Sequence, residues 1–71
     1  MTTVISIYTN NLYNVSIGIE RRYESEIYIV QACPCINEHM CGHPEREMIY
    51  PISERSKAYA TYRRYVKKYC R

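Results

Sequence analysis

Apolar and polar positions alternate most cleanly along Tyr13, Val15, Ile17 and Ile19, with Asn14, Ser16, Gly18 and Glu20 between them. A period of two puts one face against a core and the other in water, so residues 12–20 are predicted to be a strand. Val4 to Tyr8 alternates in the same way and is rich in β-branched side chains, predicting a strand over 3–9. Asn10-Asn11 lies between the two, and asparagine tolerates the left-handed backbone of a tight hairpin turn. Arg21 to Ser25 is polar and reads as a second turn; Ile27, Tyr28, Ile29 and Val30 then predict a third strand over 26–33. Residues 33–46, with Pro34, Gly42 and Pro44, read as a loop. A short fourth strand is expected at 47–50, confined to an edge because Pro51 has no amide to donate.

The period changes after Ser53. Ala58, Tyr59, Tyr62, Tyr65, Val66, Tyr69 and Cys70 recur at helical spacing, while Lys57, Thr61, Arg64 and Lys68 fall on the other side. A helix over 54–70 follows, with Ser53 as N-cap and Glu54 in the first turn, where its charge suits the helix dipole. Lys67, Lys68 and Arg71 suit the opposite end. The predicted fold is α+β: a three-stranded antiparallel meander with a short fourth edge strand, packed against one C-terminal amphipathic helix. Two layers let both amphipathic elements bury their apolar sides.

Composition narrows the picture. Seventy-one residues make one small domain, residues 1–71, in which a core alone gives marginal stability. Asp, Phe and Trp are absent, and Gly18 and Gly42 are the only glycines. That excludes a P-loop, a dinucleotide-binding glycine fingerprint and an EF-hand loop. Tyrosine, present nine times, supplies all the aromatic mass. No basic, apolar leader opens the chain, and no apolar run approaches the ~18 residues that cross a bilayer, so a cytoplasmic protein without membrane contact is expected.

In such a compartment clustered cysteines point to metal more than to disulfides. Cys33, Cys35, His39, Cys41 and His43 fall within eleven residues. Zinc takes four tetrahedral thiolate or imidazole ligands and adds folding energy to a small domain. Cys33, Cys35 and Cys41 are the first candidates, with Cys70 or His43 as the fourth. A helix laid back antiparallel to the preceding strand returns Cys70 to the cluster. Four protein ligands leave no position for water, so the zinc would be structural. Two alternatives stand beside it: reduced cysteines acting as compact apolar residues, and disulfides. Cys-Pro-Cys lacks the helix N-terminus that activates thiols in redox enzymes. With no Asp for acid–base work either, the expectation is a protein that is not an enzyme.

The net charge of +3 is divided unevenly: residues 54–71 hold seven Lys or Arg against Glu54, and residues 1–53 hold three against six glutamates. A positive helical face can follow phosphates, and tyrosines can stack on unpaired bases. Lys57, Arg64, Lys67 and Lys68 are the candidate nucleic-acid contacts. The competing reading is a solvated cationic face over a tyrosine core. The element order over residues 3–70, three strands then a helix, resembles the plan of the arm-binding domains of phage-type integrases and of plant AP2 domains. Those place the sheet in the major groove, whereas here the cations lie on the helix and the meander is acidic.

In length and composition the chain also resembles small accessory proteins of bacteriophages, many of which bind and block one host protein. Two functions therefore compete. The first is a non-enzymatic intracellular protein that contacts nucleic acid through its basic helix, stapled by zinc. The second is an inhibitor or adaptor docking on an acidic protein surface, with no nucleic-acid or metal role. An exposed meander edge or fourth strand offers a route to a homodimer.

Overall fold

The computed structural model describes residues 2–10, 12–37 and 40–70. Strands β1 (Thr2–Thr9), β2 (Tyr13–Arg22) and β3 (Ser25–Asn37) form an antiparallel meander. β4 (Met40–Cys41) and β5 (Arg46–Pro51) both pair with β3, antiparallel. The amide of Cys35 bonds to the Leu12 carbonyl, whereas the Pro34 and Ala32 carbonyls accept from Gly42 and Glu45. Alternation along β3 therefore puts β4 and β5 on one edge and β2 on the other. The sheet is four strands wide, its fourth position shared by β4 and β5. One helix, α1 (Arg55–Tyr69), covers one face of it.

Register explains the core. Val15 lies opposite Ala32, Ile17 opposite Val30, and Ile19 opposite Tyr28. These residues share the face under α1, where Val15, Ile17, Val30, Ala32 and the helix residue Ala58 are fully buried. Tyr59, Tyr62 and Tyr65 frame this core from the helix. The alternation in β2 thus sets both the strand and its buried side.

Three local expectations are corrected. First, residues 33–46 are not one loop, because β3 continues to Asn37 and pairs with β4. Pro34 is tolerated there for a geometric reason. Its missing N–H would face the β4–β5 edge, where residues 42–45 bulge out between the Cys41 and Arg46 pairings.

Second, Ser53 does not cap the helix. A 3-10 turn (Ile52–Glu54) follows Pro51 directly, α1 begins at Arg55, and Glu54 occupies the cap position without a side-chain cap bond. The Glu54 carboxylate instead accepts from Lys57 Nζ at 2.9 Å. Third, Asn10 works through its side chain. Its carboxamide oxygen accepts the Leu12 and Tyr13 amides at 2.8 and 2.7 Å, closing the β1–β2 turn. Asn11 lies outside the described residues.

At the β2–β3 turn Arg22 faces Ser25, leaving Tyr23 and Glu24 as a two-residue connection. Such hairpins need positive φ. Tyr23 supplies it at φ 52°, the only non-glycine residue to do so among the described residues, and its side chain is 98% exposed.

Candidate functional site

The rotation of α1 about its own axis decides which residues it offers to solvent. Thr61, expected among the cations on the outer face, is 2% exposed, which corrects that assignment. Its hydroxyl lies 2.6 Å from the Tyr50 hydroxyl of β5 and accepts from Arg64 Nη2 at 3.2 Å. On the other flank the Tyr62 hydroxyl is 3.1 Å from Ser6 Oγ of β1. Tyr50 and Ser6 therefore hold the helix from both sides of the sheet.

With Ala58 and Thr61 buried, Arg55, Lys57, Arg63, Arg64, Lys67 and Lys68 are all exposed. No carboxylate occurs in residues 55–71 to interrupt them. They are not equivalent. Lys57 is held by Glu54, whose bond and charge raise the lysine pKa and keep it protonated. Arg64 leans on Thr61. Arg55 sits over the Tyr59 ring at 5.3 Å and Lys68 over the Tyr69 ring at 5.2 Å. Arg63 and Lys67 have no carboxylate partner among the described residues. Arg63 and Arg55 were missed in the sequence because the outer face was read through Lys57, Thr61, Arg64 and Lys68. Ala58 and Cys70 are buried as the helical spacing predicts, but Thr61 is buried with them, so the outward arc also includes Arg55 and Arg63.

The thiols gather at the other end of the sheet. α1 ends at Tyr69, whose carbonyl accepts from the Asn10 carboxamide at 3.3 Å, so the helix tip docks on the β1–β2 turn. Cys70 is consequently buried against Val15 and Ala32. Its Sγ donates toward the Tyr13 and Tyr8 carbonyls at 3.5 and 3.7 Å. Cys35 Sγ lies 4.0 Å from the Asn10 carbonyl of the same turn. Burial first, and then the neighbouring Cys35, push the Cys70 thiol above its ordinary pKa. In this arrangement the Cys70 side chain contributes to the packing between the helix end and the sheet.

Cys33 sits opposite Asn14, one position from Ala32 and so on the face away from α1. Cys35 is the register partner of Cys41 across β3 and β4. His43 is exposed in the bulge, and His39 lies outside the described residues. No three Cys, His or Glu side chains among the described residues converge as a metal-holding group. At the bulge the charge of the nearby Glu45 carboxylate raises the Tyr13 pKa.

No known protein family, curated protein or solved structure matches the chain. No described helix is long and apolar enough to cross a membrane.

Proposed function

We propose that the chain is a binding protein that engages nucleic acid through the exposed face of α1, by contact with phosphates. One observation supports this: every lysine and arginine of residues 55–70 is exposed on a single fifteen-residue helix that has no acidic residue after its cap. A helix of that length spans roughly 22 Å, enough to meet several consecutive phosphates. The tyrosines contribute less. Tyr59, Tyr62, Tyr65 and Tyr69 are only partly exposed and pack on the core, which leaves little ring face for stacking on bases. The mode is therefore electrostatic, with weak sequence preference.

Fluorescence anisotropy with labelled single-stranded and duplex oligonucleotides tests the proposal. Four phosphate contacts correspond to a log–log salt slope of roughly −2.8 on single strands and roughly −3.6 on duplex, a loss of about 50-fold and about 150-fold between 50 and 200 mM salt. Neutralising three exposed cations (Arg63→Gln, Lys67→Gln, Lys68→Gln) lowers affinity by at least about tenfold and flattens the slope. The helical circular dichroism signal should stay unchanged. Binding that survives the triple variant, or that ignores salt, would refute the proposal and favour docking on a protein surface.

A further inference from the structure

The two long sides of α1 differ in what surrounds their cations. Tyr62, bonded to Ser6, fixes one side toward β1, and Thr61, bonded to Tyr50, fixes the other toward β5. The β5 side is partly neutralised. Glu54 holds Lys57 at 2.9 Å, Arg64 leans on Thr61, and Glu45 stands in the bulge near Tyr13. Toward β1 the surroundings are different, because Thr2–Thr9 contains no charged residue.

Arg55, Tyr59, Arg63 and Lys67, each four residues from the next, form one ridge of α1 about 18 Å long. Two grooves lie along it. Arg55, Ser56, Tyr59 and Arg63 line the first, and Tyr8 of β1 lines the second with Val66, Lys67 and Cys70. Neither lining includes a carboxylate among the described residues. Phosphates following the ridge would therefore meet Arg55, Arg63 and Lys67 in turn, with the Ser56 hydroxyl as a further donor.

The second groove also holds an aromatic ring unlike the others. Tyr13 and Tyr65 pack on Tyr69, and Tyr28 packs edge-on against Tyr59. Tyr8 is instead 49% exposed and shares its groove with Lys67. A cation for the phosphate and an open ring for the base, side by side, are the parts of a single-strand site. A duplex keeps its bases stacked inside and presents no base face to Tyr8 unless one is flipped out.

We infer that the chain holds single-stranded rather than duplex nucleic acid, its backbone following Arg55, Arg63 and Lys67 and one base stacked on Tyr8. This rests on the phosphate-binding proposal and names the form of nucleic acid and the side of α1 that takes it. Val66 and Cys70 give the stacked base apolar neighbours. Stacking on a ring is tolerant of base identity, so the weak sequence preference is kept.

Fluorescence anisotropy compares a labelled strand of about 12 nucleotides with the duplex of the same sequence at equal salt. The single strand should bind at least about tenfold tighter. Tyr8→Ala should lower its affinity at least about fivefold, with the salt slope, the duplex affinity and the helical circular dichroism signal unchanged. Tyr8→Leu keeps apolar area in the groove without the ring and should lose affinity too, whereas Tyr8→Phe should retain it. The two sides of α1 are compared at equal change of charge: Arg55→Gln with Arg63→Gln, against Lys57→Gln with Arg64→Gln. The first pair should cost the single strand at least about fivefold more. Equal binding of strand and duplex, indifference to Tyr8→Ala and Tyr8→Leu, or equal losses from the two pairs overturns the inference and leaves phosphate contact by α1 standing. A chain that binds neither form overturns both.

Discussion

Thr61→Val removes one oxygen from the contact that orients α1. The hydroxyl it deletes is 2% exposed and lies 2.6 Å from the Tyr50 hydroxyl and 3.2 Å from Arg64 Nη2. Valine keeps the shape, so no cavity opens and the loss is that of hydrogen bonding. Arg64 is exposed and recovers its bond from water. Tyr50 is half-buried and recovers less. Leaving a partly buried hydroxyl unsatisfied costs about 1–2 kcal/mol, after a small offset from the added methyl. For a domain of this size that is a fall in Tm of about 5–15 °C.

Differential scanning calorimetry of Thr61→Val, Tyr50→Phe and the double variant forms the test. The double variant should be more stable than the sum of the single losses, because neither partner is then left orphaned. Thr61→Lys should prevent cooperative folding, since it drives a charge into the core. A neutral Thr61→Val together with a well-folded Thr61→Lys would refute the reasoning. It would mean that the helix lies as the sequence alone suggested, with Thr61 in solvent.

Two further outcomes follow from local geometry. Tyr23→Asn should raise stability by about 0.5–1 kcal/mol in urea titration, because Asn tolerates positive φ better and an almost fully exposed ring has little packing to lose. At alkaline pH the fold should weaken: Cys70 is raised above its ordinary 9.0 by burial and then by Cys35, so the unfolded chain ionises first. That stability is complete below about pH 9 and is lost as pH climbs through the folded value. Tyr65, raised by burial, and Tyr13, raised by Glu45, extend the loss above 10.0. Cys70→Ala should shrink the first part of the decline, and an unchanged urea midpoint from pH 8 to pH 10 in the native chain would contradict the assignment.

The layered fold was legible because β2 repeats with a period of two over seven residues, and nothing in its sequence opposes that pattern. Val15 and Ile17 are fully buried as the alternation requires. The helix was legible for the same reason, but its rotation was not. Ala58, Tyr62, Tyr65 and Cys70 pack on the sheet as the helical spacing predicts, but Thr61 looks like a residue of the wet face. Its burial is decided by Tyr50, which is eleven positions from Thr61 and reaches it only after β5 has paired with β3. The extension of β3 was hidden by Pro34. Proline reads as a break until the bulge opposite it removes the need for its N–H. The thiols were legible as a cluster of residue types, whereas the burial of Cys70 depends on Asn10 receiving the helix end.

The tyrosine bias acquires a physical meaning in this arrangement. A domain of seventy-one residues has few fully buried side chains, and most of its aromatic rings lie at the rim, where one end meets water. A phenylalanine there would bury similar area and bond to nothing. Tyrosine hydroxyls instead join separate elements: Tyr62 links α1 to β1, and Tyr50 links β5 to α1. Hydrophobic contact is non-directional and would let the helix roll over the sheet, but paired hydroxyls on its two flanks do not. The same bonds that compensate for a thin core therefore choose which arc of α1 faces outward. Arg63 and Lys67 point to solvent because Thr61 and Tyr62, on the same helix, are held by Tyr50 and Ser6.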